Sequence, residues 1–127
     1  MRQIKFRAWD KKENCWVGGF CIHKSGAFSP FWNPEKKEPT WWTDKLRNSR
    51  IILMQFTGLH DKNGKEIWEG DIVRVSPHNN SMKVIYDDHS AMFRTKGKGI
   101  PAPLVSWIGF DIEVVGNIYS NPELIEK

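Results

Sequence analysis

Cys15, Cys21 and His23 are the first residues of this 127-residue chain whose types could do chemistry, since two thiols and an imidazole are what a zinc site or an activated nucleophile is built from. Their spacing argues against both. C-x5-C-x-H lacks the close C-x2-C knuckle of structural zinc sites and fixes no fourth ligand. In a strand Cys21 and His23 would share a face, yet no third group is placed to orient the imidazole. Small buried or half-buried thiols are the favoured reading, and reduced ones, because the chain carries no export signal. Asp87-Asp88-His89 joins two carboxylates to an imidazole, types that suit a divalent cation or acid–base work, but consecutive strand residues point to opposite faces. A hairpin turn between Tyr86 and Ala91 explains them better. Lys96-Gly97-Lys98-Gly99 has too few residues in the required pattern for a phosphate-cradling loop and no helix after it, so it reads as a flexible basic loop. No catalytic residue, metal ligand or cofactor is assigned, and the chain is read as not an enzyme.

Composition offers a sharper possibility. Seven Trp, seven Phe and two Tyr are interleaved with basic residues, and small β-barrels bind single-stranded nucleic acid by stacking bases on such rings, at about 1–3 kcal/mol per base. Trp32, Trp41 and Trp42 with Lys36, Lys37, Lys45 and Arg47 have those ingredients, and Lys96 and Lys98 could add a second arm. The competing account is that the rings close a small core under a long loop, or form an interface where aromatics are enriched. It is the favoured one, so the same residues become candidates for contact with a protein partner or a second copy of the chain.

These residues must be held by elements that the pattern largely defines. Residues 3–9 alternate, with Ile4, Phe6 and Ala8 on one side, which predicts a half-buried strand. After a polar turn, residues 15–22 predict a second strand weakened at Gly18-Gly19, and the two make an N-terminal hairpin. From 25 to 48 the pattern dissolves: Pro30, Pro34 and Pro39 interrupt any continuous element, leaving an irregular aromatic loop with a short helical turn around 43–47. Residues 51–56 predict a core strand. The segment that follows contains Asn63-Gly64, which tolerates positive φ at both turn positions and is the strongest hairpin signal in the chain. Strands are then expected at 71–75, 82–86, 91–94, 104–108 and 112–119, a spacing that favours a small barrel or sandwich. Asn121-Pro122-Glu123 predicts a helical turn capped by Asn121, with proline at its first position.

The longest strictly aliphatic run, Ile51-Ile52-Leu53-Met54, is far short of the ~20 apolar residues that span a bilayer, and the charged first twenty residues leave no room for a signal-peptide core. Cytoplasmic location is expected. The net charge of +4 is uneven, +7 over residues 1–65 and −3 over 66–127. Such asymmetry permits an acidic partner or head-to-tail self-association.

Three segments together resemble the YopX family of phage and prophage proteins: residues 2–10 (RQIKFRAWD), 55–73 (QFTGLHDKNGKEIWEGDIV) and 113–124 (EVVGNIYSNPEL). The resemblance implies a mainly β protein with an SH3-like barrel or roll in its C-terminal part and no assigned biochemical activity. It supplies no catalytic residue. Its motif residues Asp61, Asn63, Gly64, Glu69, Gly70, Asp71 and Asn117 read as turn chemistry. The resulting expectation is a mainly β chain, with an N-terminal hairpin and irregular aromatic loop over 1–50, an SH3-like part over 51–127 and a short C-terminal helical turn, the two parts folding as one cooperative unit. Its expected role is that of a phage or prophage accessory protein that binds a protein partner, such as a host factor, or assembles into a homo-oligomer. The alternative is a single-stranded nucleic-acid-binding module.

Overall fold

The structure, a computed structural model, describes residues 2–22, 24–25, 28–33, 38–42, 50–76, 78–97, 102–107 and 109–125; for 30–33, 38–42 and 78–79 the description is of the backbone. The chain is mainly β, with curled sheets and short 3-10 turns. It divides into two units, one formed by residues 7–53 and the other by residues 1–6 with 54–127.

The larger unit is organised around a five-stranded antiparallel sheet. Its strands are β8 (Asp71–Ser76), β9 (His78–Asp87), β10 (Met92–Gly97), β11 (Ala102–Pro103) and β12 (Asp111–Asn117), in the spatial order β11-β10-β9-β8-β12. The last strand thus lies beside the first. Alternation decides which face is apolar: Val73, Val75, Met82, Val84, Ile112 and Val114 project to one side and close a core with Ile67 and Leu104. Each such side chain contributes about 1.5–3 kcal/mol by leaving water. Bulges between Arg74 and Val75 and between Val114 and Gly116 bend the strands, which helps the sheet curl.

Of residues 104–108, expected as a strand, the described Leu104–Trp107 form a 3-10 turn instead. Leu104 is buried against the core while Val105 is exposed. An apolar run this short satisfies either geometry, and the tertiary site decides. The C-terminal turn is present as Pro122–Leu124, with proline at its start, but Asn121 makes no side-chain cap and its Oδ1 accepts the Asn117 N–H at 3.2 Å.

The hairpin between β6 (Ile51–His60) and β7 (Glu66–Trp68) forms as expected, by a different device. Only Gly64 of the Asn63-Gly64 pair has positive φ (80°). Asp61 closes the loop: its Oδ1 accepts the N–H groups of Asn63 (2.9 Å) and Lys65 (2.8 Å), and its carbonyl accepts that of Gly64 (3.0 Å).

In the smaller unit β1 (Phe6–Asp10) pairs with β2 (Cys15–Trp16), giving the expected N-terminal hairpin, with Trp9 opposite Trp16 and their rings edge to face at 5.0 Å. The expected inward row of the first strand is only partly observed, since Ile4 and Phe6 are exposed whereas Ala8 and Trp9 are buried. Cys15–Trp16 and β3 (Cys21–Ile22) are separate short strands around Gly18-Gly19. Within the stretch expected to be irregular, β4 (Phe28–Asn33) and β5 (Glu38–Trp42) pair antiparallel in the order β3-β4-β5. The prolines fit because Pro30 sits in a register shift and Pro39 on an edge strand. The expected turn at 43–47 lies outside the described residues. Ala8, Phe28 and Ile51 form this unit's core with Val17, Phe20 and Leu53.

Candidate functional site

Of the residues singled out for macromolecular contact, Trp32, Trp41 and Trp42 lie on β4 and β5, with Trp32 paired to Pro39 and Trp42 to Phe28 in the backbone register. Lys36, Lys37, Lys45, Arg47 and Lys98 lie outside the described residues, as does His23. Lys96 is on β10, exposed. Cys15 and Cys21 are exposed, unbridged thiols. Among the described residues no group of three His, Cys, Asp or Glu side chains is placed to hold a metal ion, and no helix is long and apolar enough to cross a membrane.

Asp87 holds its own turn rather than an ion. Its carboxylate accepts the His89 N–H at 3.0 Å and the Ser90 hydroxyl at 2.8 Å, and it lies 3.7 Å from the Arg94 guanidinium. The Ser90 hydrogen bond is the main cause that keeps this carboxyl below its usual range.

The family-type motif residues are tied to backbone. Besides its own loop, Asp61 reaches β12: Oδ2 accepts the Val114 N–H at 3.0 Å, and the Lys62 N–H donates to the Ile112 carbonyl at 2.9 Å. Burial acts to raise this carboxyl, but the N–H donors of Val114, Lys65 and Asn63 together outweigh it and hold it lowered. Gly70 has φ 87°, and its N–H donates to the Val84 carbonyl while its own carbonyl accepts from Ile118. Asp71 accepts the Trp68 N–H at 2.7 Å, Glu69 that of Gln55 at 3.3 Å, and Asn117 those of Tyr119 and Ser120. Such groups fix strands and turns.

Among the described residues of the larger unit, two further surfaces stand out. One is the apolar turn from Leu104 to Phe110. Trp107 anchors it, packing partly buried against the core and donating from Nε1 to the Thr95 hydroxyl at 2.9 Å. Phe110 meets the Trp107 ring edge to face at 6.0 Å and is 57% exposed; Val105 is 65% exposed. Gly109, at φ 103°, provides the sharp reversal between them. Sequence reasoning missed this surface because the segment looked like a core strand; the glycine after an apolar run was the available signal.

The other is the face of the sheet opposite the core. Lys96 of β10 is directly across from Lys83 of β9, and neither has an ion pair among the described residues. Lys83 passed unnoticed because it lies far from Lys96 in sequence and has no charged neighbours there.

The family described as YopX protein matches residues 5–126. Among solved structures, the chain resembles protein EF1440 from Enterococcus faecalis, with TM-score 0.68 and 27% identity over 99% of this chain and 100% of that one. It also resembles protein yopX from Bacillus subtilis, with TM-score 0.60 and 20% identity over 100% of this chain and 98% of that one, a likeness of fold alone. No curated protein matches the chain.

Proposed function

The chain belongs to the YopX family, and from that premise we propose that it is a non-enzymatic phage or prophage accessory protein that acts in the host cytoplasm by binding another protein. The observation that carries the proposal is the apolar segment in which Val105 and Phe110 stand in solvent around the anchored Trp107. Exposed apolar side chains held by an aromatic anchor are the ingredients of an interface hot spot. The scaffold reading is SH3-like: the last strand of the sheet pairs with the first, and a 3-10 turn precedes it. A folded scaffold that presents a variable loop is how many binding proteins work.

The test is capture from a host lysate at high salt, with the Val105→Ser/Phe110→Ser variant beside the wild type and light scattering on each. A discrete protein retained by the wild type and released at least about thirtyfold more weakly bound by the variant, the loss of a hot spot worth about 2 kcal/mol, supports the proposal. A wild-type oligomer that the variant dissolves assigns the same surface to a second copy. Identical retention and identical mass for both proteins would refute it.

A further inference from the structure

We propose that the outer face of β9 and β10, centred on Lys83 and Lys96 and flanked by Arg74 of β8, binds the sugar–phosphate backbone of a nucleic acid without reading its sequence. The reasoning starts from the register. Lys96 opposes Lys83, Arg94 opposes Ile85, and Arg74 opposes Ser81. All of these project away from the core, because the alternate residues Val73, Met82, Val84, Phe93 and Thr95 point into it or pack against it. Directly opposed residues on an antiparallel pair lie about 4.5–5.5 Å apart, and same-face neighbours along a strand about 6.6 Å. Lys83 and Lys96 therefore lie within each other's field, while Arg94 is beside Asp87 and Arg74 beside Glu113.

Like charges directly opposed on a sheet are destabilising, and a pair that breaks this local rule without a counter-ion among the described residues points to an external one. The neighbouring acids are otherwise engaged. Asp87 is held by its turn and by Arg94, and Glu113, which opposes Arg74 in the register, pairs with Lys62 at 3.5 Å. Asp111 lies at the far corner, opposite Ser76. Arg74 donates from Nε to the Ser81 hydroxyl at 3.1 Å, which extends its side chain across the face.

Three features favour phosphates over an acidic protein. The cations recur at short intervals, matching a polymer that carries a charge at every residue. Among the described residues the face offers no aromatic anchor of the kind that dominates protein interfaces, since Tyr86 and Phe93 lie on the opposite side with their rings 5.2 Å apart. Beyond Ile72 of β8, which opposes Lys83 and is buried, the face presents half-buried Ile85 and exposed Met92 and, among the described residues, no ring on which to stack a base. This inference does not rest on the apolar turn and uses none of its residues.

The test is fluorescence anisotropy of the full chain with a labelled mixed-sequence 20-base-pair duplex, from low to physiological salt. Binding is expected whatever the sequence, with log affinity falling against log salt at a slope of about −2 to −3. Lys83→Gln/Lys96→Gln should weaken it at least about tenfold at low salt and flatten the slope by about 2. Lys12→Gln/Lys24→Gln, which removes the same charge from exposed positions of the other unit, should leave it within about twofold. The single change at exposed Lys96 keeps the test valid should the double variant unfold. No binding to the duplex, or an equal loss from the Lys12/Lys24 variant, would overturn the proposal. So would lysine-dependent binding of labelled polyglutamate without binding of the duplex, which would make the site one for an acidic protein.

Discussion

Replacing Asp61 by Asn removes one negative charge and almost no volume, yet the geometry makes it one of the costliest conservative changes in the chain. The carboxylate accepts three backbone N–H groups, two through Oδ1 and one through Oδ2. An amide has one acceptor oxygen, so in either orientation its NH2 faces at least one N–H donor. Oriented to keep the loop, it abandons Val114, which is buried at 8% exposure and has no access to replacement water. A hydrogen bond to a charged group contributes about 1.5–3 kcal/mol, and leaving a buried donor unmade costs the same order. Asn63 and Lys65 are exposed and can hydrate. Asp61→Asn should therefore lose about 2–3 kcal/mol and Asp61→Ala about 3–4 kcal/mol, the larger figure adding the broken loop. Urea unfolding followed by tryptophan fluorescence measures the loss, and hydrogen exchange at the Val114 amide locates it. If Asp61→Asn stays within about 0.5 kcal/mol of the wild type while Val114 keeps its protection, the argument that this carboxylate pins β12 is wrong.

Other consequences follow from single contacts. Arg50 grips Asp10 through two hydrogen bonds, Nε to Oδ1 at 2.8 Å and Nη2 to Oδ2 at 2.7 Å, and that grip is the main reason the Asp10 carboxyl is lowered from 3.8 to about 2. A folded value below the unfolded one means that the pair's contribution is complete above about pH 4 and drains as pH falls toward 2; Arg50→Gln should shrink that acid-sensitive step in stability measured against pH, leaving the part due to the Lys12 and Glu13 N–H donors. Ala91 sits at φ 51°, a conformation that costs a side-chain-bearing residue about 1 kcal/mol, so Ala91→Gly should raise the melting midpoint despite the added freedom of the unfolded chain. A Cβ at Gly116 would lie 2.6 Å from the Asn121 Oδ1 and 2.9 Å from the Leu124 Cδ1, so Gly116→Ala should cost about 1–3 kcal/mol by displacing the C-terminal turn, seen as faster exchange at residues 121–125.

Local signals carried the element types well where one physical cause dominated. Alternating apolar residues marked β8 and β12, and glycine and aspartate marked the turns that contain Gly64, Gly70 and Asp87. They failed where two geometries satisfy the same pattern, as at residues 104–107, and where a proline is tolerated because its strand lies on an edge, as at Pro39. The candidate surfaces were less legible than the fold. Sequence pointed to Lys96 but not to Lys83, and to tryptophans on β4 and β5 rather than to Trp107 and Phe110.

By itself, then, the sequence determined a β-rich chain with its turns in place and the family to which it belongs, because alternation, positive-φ glycines and side-chain-closed loops act over two to five residues. Only the tertiary structure decided that Asp61 completes the hydrogen bonding of β12, 53 residues away, that Lys83 meets Lys96, and that Phe110 remains in solvent. Those facts depend on strand order and register, and both are settled by the closing of a shared core, a global choice to which no short window of residues has access.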